Sequence, residues 1–450
     1  MSFFVYQLSI TLAVISLTAC SSTSSDDPLN DVRRATAQRL GKDVPVAVKQ
    51  ADVDARIAQL LRHQLTVDAT VEIALINNRR LRATLEDVGI SQANLLAAGT
   101  LKNPTLAASF RFDDMGRRPN NEFGLVANVL DVLMLPLRKK MAARELEQTK
   151  RRVSHEMLEL AANAKAAFYA MQAREQLLNK LQTVGEVGDA TAEFAKRLHD
   201  AGNINDLELL EQQTGAAQTQ LDVKRARADI VAARGKLNRI LGLADKRMNW
   251  NVAVNLPRMP ASDPSLSRVE QLALLQRQDL AAAREHARAV EDALKLKHKT
   301  RFIPGLNLGV DTERESEGKH LTGPTLDIEL PIFNWGKADL KKLEAELRQS
   351  QAGTEALEAE VRNDVQSAYA ALLAAREACE FQRGTLLPQR QKILAESLLH
   401  YNAMQKSNFE LLMAKTEEQR AEKESIESLR DYWMAHAELE KAAGGTLKQN

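Results

Sequence analysis

Two rhythms of apolar and polar residues alternate along this chain, and each predicts its own kind of element. In Leu306-Asn307-Leu308-Gly309-Val310-Asp311-Thr312-Glu313, apolar residues or Thr alternate with polar residues or Gly, and Thr325-Leu326-Asp327-Ile328-Glu329-Leu330 does the same. A period of two gives a strand one apolar and one polar face. Earlier in the chain Leu106, Ala108, Phe110 and Phe112 stand against Ser109, Arg111 and Asp113. Phe123, Leu125, Ala127 and Val129 follow, and the alternation slips around Asp131, where a bulge is expected. Hydrophilic loops, Asp114 to Asn121 and Glu315 to Lys319, join each pair.

Strands of about ten residues are long enough to cross a bilayer at a tilt. Their apolar faces suit lipid, and their polar faces suit a wet lumen. Arg111, Asp113, Asp311, Glu313, Asp327 and Glu329 are the lumen-facing candidates. The alternative is two soluble hairpins laid over a helix. Four strands, however, make an open sheet with two unpaired edges, which hydrocarbon cannot satisfy. Closure requires several copies of the chain. Three copies give twelve strands, enough to leave a channel where about eight would be filled by side chains.

The second rhythm is a heptad. Val361, Val365, Ala368, Leu372, Ala375, Cys379 and Leu386 form one seam, and Leu146, Val153, Met157, Leu160, Ala164, Ala167, Met171, Leu178 and Leu181 form another. A repeat of 3.5 residues implies helices supercoiled against partners. Helices are expected from Arg138 to His199 and from Lys337 to Tyr401, each about 90–95 Å long. Pro388 and the Gly185/Gly188 pair are expected bends or soft points. Turns near Ala201-Gly202-Asn203 and Asn402-Ala403 lead into return helices, Asn205 to Leu241 and Ser407 to Ala443. Ala-rich seams with polar remainders suit a helical tube better than a solid rod. A further helix is expected from Thr66 to Ala98, with Asp68 as its cap.

These elements occur twice, at a lag of about two hundred residues. Leu135-Pro136-Leu137 is answered by Leu330-Pro331-Ile332, and Asp206-Leu207-Glu208-Leu209-Leu210 by Asn408-Phe409-Glu410-Leu411-Leu412. The divisions expected are a leader, residues 1–19; an extended N-terminal segment, 20–65; a first repeat, 66–242; a connector, 243–267; a second repeat, 268–443; and a tail, 444–450.

Composition narrows the function. Aromatic residues are 4% of the chain, and 61 basic residues balance 60 acidic ones, so no surface for nucleic acid is advertised. No paired Cys/His spacing, phosphate-cradling Gly loop or nucleophile elbow occurs, and the eight His are scattered, which speaks against an enzyme, a metal site or a cofactor. His155, His199, His400 and His436 read as surface residues on helices. An apolar run, Phe3 to Leu17, precedes Thr18-Ala19-Cys20 and a Ser-rich stretch; it is too short to span a membrane as a helix and reads as an export signal. Leu17-Thr18-Ala19-Cys20 resembles the bacterial lipobox, which implies cleavage before Cys20 and its acylation, and Ser21 fits sorting to the outer membrane. An ordinary signal peptide is the alternative. Cys379, on an apolar seam, reads as a packed small hydrophobe.

The lipobox, the duplicated halves, the paired alternating strands and the two helical hairpins together resemble the TolC family of bacterial outer-membrane efflux proteins. Most similar are Leu330-Pro331-Ile332-Phe333-Asn334-Trp335-Gly336-Lys337, Ala368-Tyr369-Ala370-Ala371-Leu372-Leu373, and the turn from Ala201 to Leu210. The resemblance implies a membrane α+β fold: a homotrimeric twelve-stranded outer-membrane barrel continuous with a helical coiled-coil barrel across the periplasm. It also implies a periplasmic adaptor and an inner-membrane pump as partners. By position in the family's inner hairpin, Lys406 and Glu410 are the candidates for the constriction, with Glu208 and Glu211 secondary. Threefold repetition would make Glu410 a ring of carboxylates favouring cations. The function implied is a passive exit duct. The alternatives are a periplasmic adaptor and the outer-membrane component of type I protein secretion.

Overall fold

The computed structural model describes residues 27–43, 50–112, 119–244, 249–302, 305–315 and 317–447. The leader, Cys20 and Asp113 lie outside these residues. In chain order come α1 (Pro28–Leu40), α2 (Gln50–Leu60), α3 (Val67–Asn77), α4 (Arg79–Ala98), β1 (Thr105–Arg111), β2 (Asn120–Asn128), α5 (Val129–Asp200) and α6 (Asp206–Leu241). Then follow α7 (Leu266–Gln276), α8 (Gln278–Thr300), β3 (Leu306–Arg314), β4 (His320–Ile328), α9 (Lys337–Phe381), a π turn (Gln382–Leu386), α10 (Leu387–Asn402) and α11 (Asn408–Ala443).

Several boundaries differ from expectation, each for a local reason. The N-terminal segment is helical rather than extended in its described part: Asp27 caps α1, and Pro28 occupies the first helical position. Thr66, not Asp68, caps α3. The helix to Ala98 is two helices, because Asn78 is extended at φ −66° and ψ 116° and caps α4 with its own side chain. No bulge forms at Asp131. Asn128 accepts a bond from the Asp131 N–H at 2.9 Å and starts α5 directly, nine residues before Arg138. Gly185 and Gly188 do not interrupt α5, which runs unbroken through 72 residues. They admit the return helix: a Cβ at Gly188 would lie 3.6 Å from the Ala216 backbone. Pro388 does act as a soft point, since the π turn just before it absorbs the missing N–H and the ring.

The heptad seams are the cores. Val361, Val365 and Leu372 are fully buried and pack with Val269 and Ala273 of α7 and Tyr432 and Leu439 of α11. Cys379 is a free, buried thiol in the other cluster with Val153, Met157, Ala164 and Met171 of α5. After Cys379 the π turn shifts the seam, so Gln382 is buried where Leu386 was expected, its amide donating to Ala421 O at 3.1 Å.

Midway along the helices the connector binds the halves. Trp250 is 2% exposed and donates to Asn238 Oδ1 at 2.8 Å, and Leu65 N–H donates to Asn251 O at 2.7 Å. Asp263 receives Arg376 Nε at 2.6 Å and the Tyr432 hydroxyl at 2.8 Å. Burial works to raise the Asp263 carboxyl, but the bonds from Arg376 and Tyr432 hold it below its ordinary value. His436 is not a surface group: it packs against the rings of Trp433 and Tyr432, and burial pushes its imidazole down. Arg39 of α1 donates to Gln276 O at 3.0 Å, and its carbonyl accepts from Thr446 N–H at 2.9 Å, tying both chain ends to α7.

Helix ends are closed alike 202 residues apart. Gly242 (φ 65°) ends α6 and Gly444 (φ 77°) ends α11. A Cβ at Gly242 would stand 2.5 Å from the Asn77 carbonyl oxygen, while one at Gly215 would meet open space. Gly242→Ala is therefore expected to destabilise the protein by about 1–3 kcal/mol. Gly215→Ala is expected to stabilise it by about 0.5–1 kcal/mol. Thermal unfolding of the two detergent-purified variants against wild type checks both signs.

Candidate functional site

Two regions carry the chemistry: the sheet and the hairpin tips. The sheet is a four-stranded antiparallel meander, β1-β2-β3-β4, with β1 and β4 as edges. Its register sets Leu106 opposite Leu125, Leu125 opposite Val310, and Leu308 opposite Leu326, so most apolar residues of the four strands share one face, Val126 and Leu321 falling on the other. That face is the open one. Leu106 is 70% exposed, Val310 57% and Leu326 57%. Along β2 and most of β3 the exposure alternates in the sense opposite to that of a water-soluble sheet, with the polar side the less accessible.

The polar side brings together Arg111, Asp311, Glu313 and Asp327, as the alternation predicted. It also holds Asn120, expected in the loop, and Glu122, because β2 starts earlier than Phe123 and the alternation continues back through Glu122. Arg111 pairs with Glu122 at 3.2 Å, Asn120 donates to Glu313 at 2.5 Å, and Thr325 donates to Asp311 at 2.8 Å. Four carboxylates thus face one guanidinium among the described residues of this side. Glu329 falls one residue past β4, although its N–H still reaches Gly305 O at 3.1 Å. Gly124, Gly309 and Gly323 share the polar side; a Cβ at Gly309 would lie 2.8 Å from Leu125 O, so the backbones there are tightly drawn together.

At the tips the two hairpins turn by the same bonds. Gly202 N–H donates to His199 O at 2.8 Å and Asn203 N–H to Leu198 O at 2.9 Å; 202 residues on, Met404 N–H donates to Tyr401 O at 2.9 Å and Gln405 N–H to His400 O at 2.8 Å. This closure needs a left-handed residue. Gly202 supplies it at φ 76°, and Met404 does so at φ 56° with 95% of its side chain exposed. The unequal residue at the second turn therefore changes its strain and not its shape.

The acidic candidates have local duties here. Asn205 and Glu208 form a capping box at the start of α6, and Ser407 and Glu410 form one at the start of α11. Glu410 accepts the Ser407 N–H at 2.9 Å and the Ser407 hydroxyl at 3.0 Å. The backbone bond foremost, then the hydroxyl bond and the charge of Lys406, hold its carboxyl below the ordinary value. Lys406 itself donates to Ser397 Oγ at 3.2 Å and borders an open hollow of about 470 Å³ lined by Ile393, Glu396 and His400. Glu211 lies on α6, half-buried and apart from this cluster. The pattern Ser/Asn-x-x-Glu is the sequence signal for these caps.

Among the described residues no group of His, Cys, Asp and Glu could hold a metal ion, and no helix is long and apolar enough to cross a membrane.

Residues 269–445 match the family model described as outer membrane efflux protein. The chain is also similar in structure to CusC, with a TM-score of 0.71 at 20% identity, covering 84% of this chain and 92% of that one. The Campylobacter jejuni CmeC outer membrane channel matches with a TM-score of 0.72 at 15% identity, covering 96% and 94%. The Neisseria gonorrhoeae MtrE outer membrane channel, in its open state, matches with a TM-score of 0.69 at 19% identity, covering 85% and 89%. No curated protein matches by sequence. The chain thus shares its fold with these outer-membrane channels over 84–96% of its length. More particularly, residues 269–445 carry the outer membrane efflux protein family match, and the whole chain has the TolC-like channel fold.

The Glu410 cap makes a pH prediction. Its carboxyl titrates below its ordinary value of 4.5, so the cap is fully present above 4.5 and is lost as the pH falls through the lowered value. Exchange of the Ser407 amide, corrected for the intrinsic rate, should accelerate through that acid window. In Glu410→Gln it should be faster at neutral pH and show no such step.

Proposed function

We propose that this chain is one third of a passive exit duct, in which three copies close a twelve-stranded barrel in the outer membrane above a helical tunnel. The observation that carries this is the inverted sheet: an apolar face open to the surroundings, a less accessible polar face opposite it, and two edges that a neighbour's β1 and β4 would satisfy. Cys20 anchors the chain to lipid. The tunnel's narrow end, at the turns around Gly202 and Met404, receives molecules or ions from a periplasmic adaptor and an inner-membrane pump. The duct does no chemistry; it offers a wet path with a cation-favouring wall of Asp311, Glu313, Asp327 and Glu122.

The constriction is proposed at Lys406 and Glu410. Threefold repetition places three copies of each at the mouth, and the helices beside it splay when these contacts yield. Glu410 then has two tasks, closing the helix start through its bond to Ser407 and supplying charge to the mouth. The adaptor reading is less favoured, because four amphipathic strands in one continuous sheet have no use in it.

Two measurements test this. Mass determination of membrane-extracted protein in detergent should give a trimer; a water-soluble monomer with both hairpins folded would end the duct reading. Lys406→Ala combined with Glu410→Gln, which keeps the capping shape while removing charge, should raise single-channel conductance in planar bilayers several-fold. Unchanged conductance removes both residues from the constriction.

A further inference from the structure

The junction between sheet and helices carries a surface that a duct does not by itself require. Between β4 and α9, Leu330 is 68% exposed, Ile332 64%, Phe333 98% and Trp335 53%. Phe302, at the end of α8, is 53% exposed and lies under the Arg301 guanidinium at 4.4 Å. The two elements meet here, since a Cβ at Gly336 would stand 3.2 Å from that of Arg301. The segment is not loose. Ile332 N–H donates to Leu330 O at 2.8 Å, Trp335 Nε1 to Ile332 O at 3.1 Å, and Gly336 N–H to Asn334 Oδ1 at 3.0 Å. These bonds satisfy polar groups internally and leave the apolar tips outward, an arrangement costly in water and suited to a nonpolar boundary.

Two further observations say what that boundary is. The period of two along Leu326, Ile328, Leu330 and Ile332 carries the sheet's open apolar face straight into the segment. Within about three helical turns of it lie Lys139 on α5, Lys299 on α8, and Lys337 and Lys341 on α9, all exposed. Neighbouring Lys297 pairs with Asp339 at 2.6 Å and Lys102 with Asp131 at 3.3 Å, whereas those four have no carboxylate partner among the described residues. Apolar strands, then aromatic rings, then unpaired ammonium groups follow the order of acyl chain, glycerol and phosphate in a leaflet.

Resting on the reading of the sheet as a membrane wall, we propose that Leu330 to Trp335 is a wedge seated in the periplasmic leaflet of the outer membrane, and that Lys139, Lys299, Lys337 and Lys341 bind phosphates of anionic phospholipids there. The wedge fixes the height of the duct in the bilayer. The lysines favour a negatively charged lipid around it.

The test uses full-length protein reconstituted in vesicles. Channel conductance and flotation first establish insertion. Bromine carried on acyl chains near the glycerol should then quench tryptophan emission more than bromine at the bilayer centre, and Trp335→Phe should abolish the quenched part. The other tryptophans are spared: Trp250 is enclosed, and Trp433 stacks on Tyr169 at 5.1 Å in the helical body. Replacing the four lysines by Gln should lower the preference for phosphatidylglycerol over phosphatidylcholine, read by competition with spin-labelled lipids, by about tenfold or more. Protein that floats and conducts but whose Trp335 ignores lipid-borne bromine would overturn the wedge while leaving the duct intact. An unchanged lipid preference would overturn the role of the lysines and point to a protein partner on this surface. Protein that never inserts overturns both the wedge and the duct.

Discussion

Hydrocarbon offers no hydrogen-bond partner to an unpaired backbone, and the rest of this structure depends on that constraint. Four strands satisfy each other's N–H and C=O groups everywhere except along β1 and β4. The apolar side chains face outward, and the carboxylates of Asp311, Glu313 and Asp327 face the opposite way. In a water-soluble protein such a sheet would gain by turning over onto the helices, covering Leu106, Phe110 and Val310. Its staying open, with polar groups bonded on the other side, is what the proposed lipid surroundings and enclosed water would require.

The helices answer a different demand. In the proposed tube each helix exposes one polar face to the bore while touching neighbours on both sides, which fits the narrow seams of Val, Ala, Leu and Cys379 that pack here. Narrow seams contribute little per turn, so the ends and the midpoint matter more than usual. Capping boxes at Asn205 and Ser407 close the return helices. The buried set of Trp250, Asp263, Arg376, Tyr432 and His436 fastens the connector to the helices at mid-height. The π turn before Pro388 lets α9 and α10 act as one long helix despite an imino acid, at the cost of burying Gln382 with a bond to a carbonyl.

Function follows from where charge is concentrated and where it is neutralised. At the tips, the charge of Glu410 is held by backbone and hydroxyl donors, so it remains ionised without needing a carboxylate-lysine pair. That leaves Lys406 bound to Ser397 beside an open hollow. In the proposed duct, a mouth built from residues that also stop and start helices would couple its opening to the integrity of those helix ends. At the other extreme, the junction between sheet and helices holds paired and unpaired cations side by side, Lys297 with Asp339 and Lys102 with Asp131 beside the unpaired set to which the lipid contact is assigned as a proposal.

Much of this was legible in the linear chain. Period-two alternation set the faces of β3 and the apolar face of β1, and the heptads marked Val361, Val365, Leu372 and Cys379 as core, because those periods are direct images of strand and helix geometry. Places where a single side chain competes with the backbone were read wrongly. Asn78 splits one helix into two, Asn128 turns an expected bulge into a helix start, and Asp27 and Pro28 make a helix where extended chain is expected; Glu410 takes on a cap beside the role proposed for it. Those outcomes depend on a bond of about 3 Å that sequence spacing permits but does not compel. The sequence by itself determined which residues face together; only the tertiary structure decided which face is left open, because exposure depends on whether another element comes to cover it, and among the described residues none does.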